Sequence, residues 1–126
     1  MWVYHQKSGK LVNTGVLIAT GYSGQPGFKN DPTKQGVVAK GPIPRGKWKM
    51  TGVRLSHPKL GPYVITLLAD DVKFDDTHDE TSRSAFRIHG DSVKNPGTAS
   101  NGCIILPRAI RELMWKSKDH NLEVVE

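Results

Sequence analysis

A chain of 126 residues and 13.9 kDa is the size of one domain, spanning 1–126, and can bury a core without disulfides or metals. Hydrophobic residues at 37% and charged residues at 24% exclude wholesale disorder, and a single cysteine excludes an intramolecular disulfide. The net charge of +6 admits nucleic acid, anionic lipid or bacterial cell wall as partners, but the Lys and Arg residues are spread as on a solvated surface.

Thirteen glycines and eight prolines favour a turn-rich β protein over a helical bundle. "WVYHQKSGKLV" reads as two short strands around a Lys7-Ser8-Gly9 turn, and "GVLIATG" as a third strand. Residues 21–46 are rich in glycine and proline, and so long an irregular stretch predicts a functional loop. In "KWKMTGV", Trp48 and Met50 alternate with Lys47, Lys49 and Thr51, the pattern of a half-buried strand. "YVITLLA" is a continuous apolar run and reads as a central strand. "DDVKFDDTHDE" then reads as an acidic surface loop or hairpin without a calcium-loop pattern.

"AFRIHG" alternates again: Phe86 and Ile88 share one face, Arg87 and His89 the other, so His89 is expected at a strand end facing out into a cleft. Gly90 lets the chain leave that strand sharply. Pro107 is placed as a first helical residue, and Leu106, Ala109, Ile110, Leu113 and Met114 make a helical stripe, which predicts a helix over 107–117. "NLEVVE" closes as a last strand. No repeat or domain boundary interrupts the chain.

No stretch is long and apolar enough to span a membrane. "MWVYHQKSGK" also lacks the apolar middle region of a secretory signal. The expectation is a protein that is cytoplasmic before export and leaves by a route needing no such signal.

The chemistry concentrates in "RIHGDSVKNPGTASNGCIIL". A thiolate is the nucleophile of cysteine chemistry, and a free thiol of pKa about 8.5 is only slightly ionised at neutral pH. An imidazole in reach, His89, would take the proton from Cys103 and give a thiolate–imidazolium pair. Acyl transfer also needs donors for the developing oxyanion. The amides of Gly102 and Cys103 are candidates, with Ser100 adding a hydroxyl contact or shaping the turn. The Gly90 carbonyl is placed to orient the imidazole. Against this stands the plainer reading, in which Cys103 before "IIL" is a small buried hydrophobe and His89 is surface. The five histidines and the cysteine show no pair at zinc-ligand spacing, so neither a metal nor a cofactor is expected.

His-Gly at a strand end, a polar loop, and Ser-x-Gly-Cys before an apolar triplet resemble the L,D-transpeptidase catalytic domain. "GPIPRGKWKM" resembles that family's Pro-x-Gly-aromatic strand. Together "WVYHQKSGKL", "GYSG", "GPIPRG", "FRIHGD" and "ASNGCIIL" resemble its compact branch, which includes type VI secretion effectors acting on peptidoglycan. The resemblance implies a mostly β, sandwich-like fold with one short helix after the cysteine. It implies acylation of Cys103 by a stem peptide, with His89 as base, then transfer to water (carboxypeptidase trimming) or to an amine (exchange or cross-linking). It also implies a toxin acting in a target cell's periplasm, with peptidoglycan stem peptides and a cognate immunity protein as partners and no nucleic acid.

Substrate contacts are expected from Arg87, Asp91, Asn101, Tyr22 and Ser23, besides Ser100. Two departures from the broader family stand beside the nucleophile: Asn101 replaces the usual His and Ile105 the usual Arg, and the loop from His89 to Cys103 is shorter. Two rival readings remain. In a papain-like cell-wall peptidase or amidase, His120 would be the base. A basic binding module would need neither Cys103 nor His89.

Overall fold

The computed structural model describes all residues, Met1–Glu126. The fold is mostly β with one short helix near the C-terminus. The strands are β1 (Trp2–His5), β2 (Lys10–Asn13), β3 (Val16–Thr20), β4 (Tyr22–Ser23), β5 (Gly46–His57), β6 (Gly61–Asp70), β7 (Phe74–Asp75), β8 (Arg87–His89), β9 (Ile104–Ile105) and β10 (Asn121–Val125). Helix α1 is Arg108–Lys116.

The ladder runs β3-β2-β1-β10-β5-β6-β8-β9-β4, with β7 added on β6. β1 and β10 pair in parallel, as do β8 and β9; the other pairs are antiparallel. The two ends of this path, β3 and β4, are separated in sequence by Gly21 alone, so the sheet rolls up on itself. Backbone crowding at the seam explains the glycines there. A Cβ at position 21 would lie 2.0 Å from the Ile105 carbonyl oxygen, and one at position 9 would lie 2.0 Å from the Gly21 oxygen. The Gly21 N–H closes the seam on the Gly9 carbonyl at 2.8 Å.

The rolled sheet encloses one core. Trp2, Tyr4, Trp48, Met50, Ile65, Leu67, Ile88, Ile104, Leu106 and Met114 are among its large members. Each large aliphatic or aromatic side chain buried there contributes about 1.5–3 kcal/mol. The alternation at Trp48 and Met50 appears as expected, and β6 is central, flanked by β5 and β8.

Four expectations change in detail. Pro107 is the cap, with φ −59° and ψ 153°, and the helix begins at Arg108. The face that α1 buries is carried by Arg111 and Met114, with Ile110 and Trp115 packed beside them, whereas Leu113 and Ala109 are exposed. The acidic stretch forms a hairpin arm through β7, but His78 in it is buried, stacked on Trp48 at 5.7 Å. The stretch 21–46 is partly a core element, because Gly41, Pro42, Ile43 and Pro44 are buried.

Candidate active site

His89 ends β8 and Cys103 immediately precedes β9. In the parallel register Ile88 faces Ile104 and His89 faces Ile105, so Cys103 falls opposite Arg87. Strand alternation then puts Arg87, His89, Cys103 and Ile105 on one side of the pair, with Ile88 and Ile104 in the core. Cys103 and His89 both line a cavity of about 380 Å³, together with Arg83, Ala85, Phe86, Arg87 and Asn101. His89 is 3% exposed and Cys103 half-buried, so the histidine is set more deeply than an outward-facing strand end implied.

The imidazole is oriented by its own chain. His89 Nδ1 lies 2.9 Å from the Gly90 carbonyl oxygen. A carbonyl only accepts, so Nδ1 carries the proton and Nε2 keeps its lone pair. Burial holds the imidazole below its ordinary 6.5, against the Gly90 hydrogen bond, with the charges of Arg111, Arg87 and His57 adding to the decrease. At neutral pH the ring is therefore an uncharged base.

The thiol departs from expectation. Burial pushes the Cys103 pKa up, outweighing the Arg87 amide and the positive charges of Arg87 and Arg83, which pull it down. The sulfur's hydrogen bond is a long one, 3.9 Å to the Ala85 carbonyl. Burial thus favours a neutral thiol and a neutral imidazole in this cavity over a preformed thiolate–imidazolium pair. Ala39, Ser82 and Ala85, all on the cavity wall, have φ of 61°, 59° and 65°, a left-handed backbone that costs about 1–3 kcal/mol at each position.

Close packing adds a reason for glycine at position 90. Its φ is not positive; instead, a Cβ there would stand 2.9 Å from Nη2 of Arg111. Arg111 is 3% exposed and bonds the carbonyls of Leu106, Pro62 and Tyr63 at 3.0, 2.7 and 2.6 Å.

Two serines expected at the substrate are sealed inside. Ser100 Oγ donates to the Cys103 carbonyl at 2.6 Å and accepts from the Gly24 and Gly102 amides at 2.9 and 3.0 Å, which uses its whole capacity. Ser23 Oγ donates to the Gly102 carbonyl and accepts from the Ile43 amide, both at 2.8 Å. Both residues are fully buried and clamp the backbone leading to Cys103. The Gly102 N–H is therefore already engaged and is not a free oxyanion donor; that expectation narrows to the Cys103 N–H.

Tyr22 and Asp91 are placed together but away from the sulfur. Tyr22 Oη donates to Asp91 Oδ1 at 2.5 Å and accepts from the Ala99 amide at 3.0 Å. Burial, with Asp91 next to it, pushes the Tyr22 phenol up to about 12. Burial works against the Asp91 carboxylate, but Tyr22 and the Gly97 and Ser92 amides outweigh it and hold its pKa below the ordinary value. These bonds make Asp91 the anchor of the loop between His89 and Cys103. Of the expected contacts, Arg87 and Asn101 do reach the cavity of Cys103.

Sequence reasoning missed Arg83. It is 4% exposed, and its guanidinium bonds the carbonyls of Gln35, Pro42, Gly41 and Asn101 at 2.6, 2.7, 3.0 and 3.3 Å. It thereby ties the 21–46 stretch to the turn before Cys103. "TSRSAF" carries no periodicity that marks this residue. Arg111 did carry a signal, since it sits three residues before Met114 on the helix. His120, the rival base, stacks on Trp115 at 4.1 Å and bonds the Trp115 carbonyl at 3.2 Å, and it is no part of the Cys103 cavity. Asp71, Asp75 and Asp79 bring their carboxylates within 4.8 Å of one another, and the Asp79, Thr77 and Lys73 amides bond them.

The family model for the Tlde1 domain matches residues 18–126, most of the chain and all of the site. The chain belongs to the Tlde1 domain family. A similar solved structure is the crystal structure of an L,D-transpeptidase (Yku) from Stackebrandtia nassauensis, at 14% identity and a TM-score of 0.51. The likeness covers 99% of this Tlde1 domain and 54% of that chain, so the domain spans about half the length of the enzyme it matches. At that identity the likeness establishes the fold, an L,D-transpeptidase-like β architecture. No curated protein sequence matches the chain.

Proposed function

We propose that this Tlde1 domain is a cysteine acyltransferase of peptidoglycan tetrapeptide stems, acting chiefly as an L,D-carboxypeptidase. The observation that carries the reading is the pairing of β8 with β9. It sets Cys103 and His89 in one cavity, with the Gly90 carbonyl fixing the tautomer that leaves Nε2 as a base. Substrate entry brings the scissile carbonyl to the sulfur, and Nε2 takes the thiol proton as the C–S bond forms. The Cys103 N–H donates to the resulting oxyanion. On collapse the C–N bond breaks, and Nε2–H returns the proton to the departing terminal D-alanine. Water or a small amine then attacks the thioester through the same base.

Burial favours the neutral form of both groups, so in this reading proton transfer accompanies substrate binding. Arg87 and Asn101 on the cavity wall are the substrate contacts. The family assignment supports peptidoglycan as substrate. We further propose a toxin delivered between bacteria into the target periplasm, cytoplasmic before export and neutralised in its producer by an immunity protein. Purified protein incubated with tetrapeptide muropeptides, with and without a D-amino acid, tests the reaction by mass spectrometry. Tripeptide and exchanged tetrapeptide are expected.

A further inference from the structure

The cavity of Cys103 does not end at His89. A second cavity of about 260 Å³ is walled by His89 and Gly90, and it shares Lys59, Leu60, Gly90 and Asp91 with a third cavity of about 600 Å³. That third cavity is the largest on the protein, and it lies against Arg111, Arg108, Lys59, Gly90 and Asp91.

Its wall is built for an anion. Arg111 is 3% exposed, and its Nε and Nη1 are taken by three carbonyls, but Nη2 has no hydrogen-bond partner and stands against Gly90. Tyr4 Oη is the one sealed side-chain atom without a partner, so Nη2 keeps some solvent access, and Arg111 and Gly90 both line this cavity. The N-terminus of α1 opens beside it. Pro107 offers no side-chain cap, and the Ile110 and Arg111 amides turn back to the Pro107 carbonyl, leaving the Arg108 and Ala109 amides unpaired. The first turn holds no acidic residue. A helix N-terminus and a guanidinium edge together favour a carboxylate. Two carboxylates of the protein stand nearby. Asp91 is occupied by Tyr22 and the Ser92 and Gly97 amides, and Glu112 holds Arg108 at 3.3 Å.

We infer that this cavity seats the free carboxylate of the residue on the leaving side of the scissile bond, so that the groove selects peptide chain ends. The inference rests on the reaction proposed above. It follows from the placement of His89, which must protonate the leaving amine and therefore faces the part of the groove that the terminal residue occupies. An incoming D-amino acid would use the same seat in exchange.

The test is an NMR titration of the full-length Cys103→Ala protein, which cannot be acylated. The probes are a tetrapeptide stem ending in a free carboxylate and the same stem ending in a carboxamide. The acid is expected to shift the Arg108 and Ala109 amides and Arg111 Nε and to bind roughly tenfold tighter than the carboxamide. Lys59→Gln/Arg108→Gln, at exposed positions, should weaken that preference but not remove it, because the α1 amides and Arg111 remain. Equal binding of the two stems, or shifts confined to the Cys103 cavity, would overturn the seat. Wild-type protein that trims both stems equally well would also overturn it while leaving the acyltransferase reading intact. An acid-specific shift at α1 in a protein that trims neither stem would support the seat and sink the acyltransferase reading.

Discussion

Arg83 packs its guanidinium onto Gly102, so closely that a Cβ at position 102 would stand 2.5 Å from Arg83 Nη2. Gly102 also has φ +139°, a backbone conformation that side chains rarely adopt. Gly102→Ala should therefore destabilise the fold by about 2 kcal/mol or more and displace the neighbouring Cys103. Denaturant unfolding and peptide trimming measured on the same preparation check both effects. Wild-type values for both would show that the turn has room to adjust.

Arg83 itself holds four carbonyls that have no other side chain to serve them. Arg83→Met keeps much of the volume and removes every donor. The expected loss is about 3 kcal/mol, because buried acceptors are left bare and bonds to a charged donor are strong. The stretch 21–46 should loosen first, so its amides should lose hydrogen-exchange protection ahead of those of β5 and β6.

Burial sets the pH behaviour. With the thiol raised, alkylation of Cys103 by iodoacetamide in the absence of substrate should be slower at pH 7 than that of an unperturbed thiol, and should climb above about pH 9. His89 is lowered, so it is neutral at pH 7, and trimming should fall on acidification only below the ordinary 6.5. The same shift bears on stability. A buried imidazole that resists protonation leaves the fold fully stable above the unfolded value, and stability is lost as pH falls through the folded value. Urea midpoints at pH 7 and pH 5 should differ less in His89→Gln than in wild type. Fast labelling at pH 6 would show instead a preformed thiolate.

The departures beside the nucleophile bear on product choice. Asn101 and Ile105 stand where the broader family has His and Arg, and Ile105 pairs with Tyr22 in the ladder. The short 90–102 loop, anchored by Asp91, offers little surface to hold a second stem, and effective molarity comes from held geometry. The expected products are tripeptides and D-amino-acid exchange products, with few dimers. Abundant 3-3 linked dimers from purified enzyme would contradict this.

The periodic parts of the fold were legible because strand alternation and apolar runs are local. Trp48 with Met50, the β6 run, and Phe86 with Ile88 all lie where their patterns placed them. Cys103 and His89 were legible as residue types at a spacing. Their shared cavity was not, because it depends on β8 pairing with β9 across a 14-residue connection. Ser23 and Ser100 bond backbone rather than line the cavity, and the sequence could not separate the two roles because a hydroxyl in a glycine-rich turn looks the same whether it meets substrate or backbone amides. Arg83 was missed for a related reason, and the helical spacing of Arg111 marked its face but not its carbonyl partners. Charged residues are expected at the surface, and nothing local tells of the carbonyls that the fold gathers around them.

The most direct test of the central claim is mass spectrometry of tetrapeptide muropeptides treated with wild type, Cys103→Ala and His89→Ala. Wild type should yield tripeptides and, trapped early, a thioester on Cys103. Cys103→Ala should yield neither, and His89→Ala should be slower by about two to four orders of magnitude. Undiminished trimming by Cys103→Ala would contradict the account.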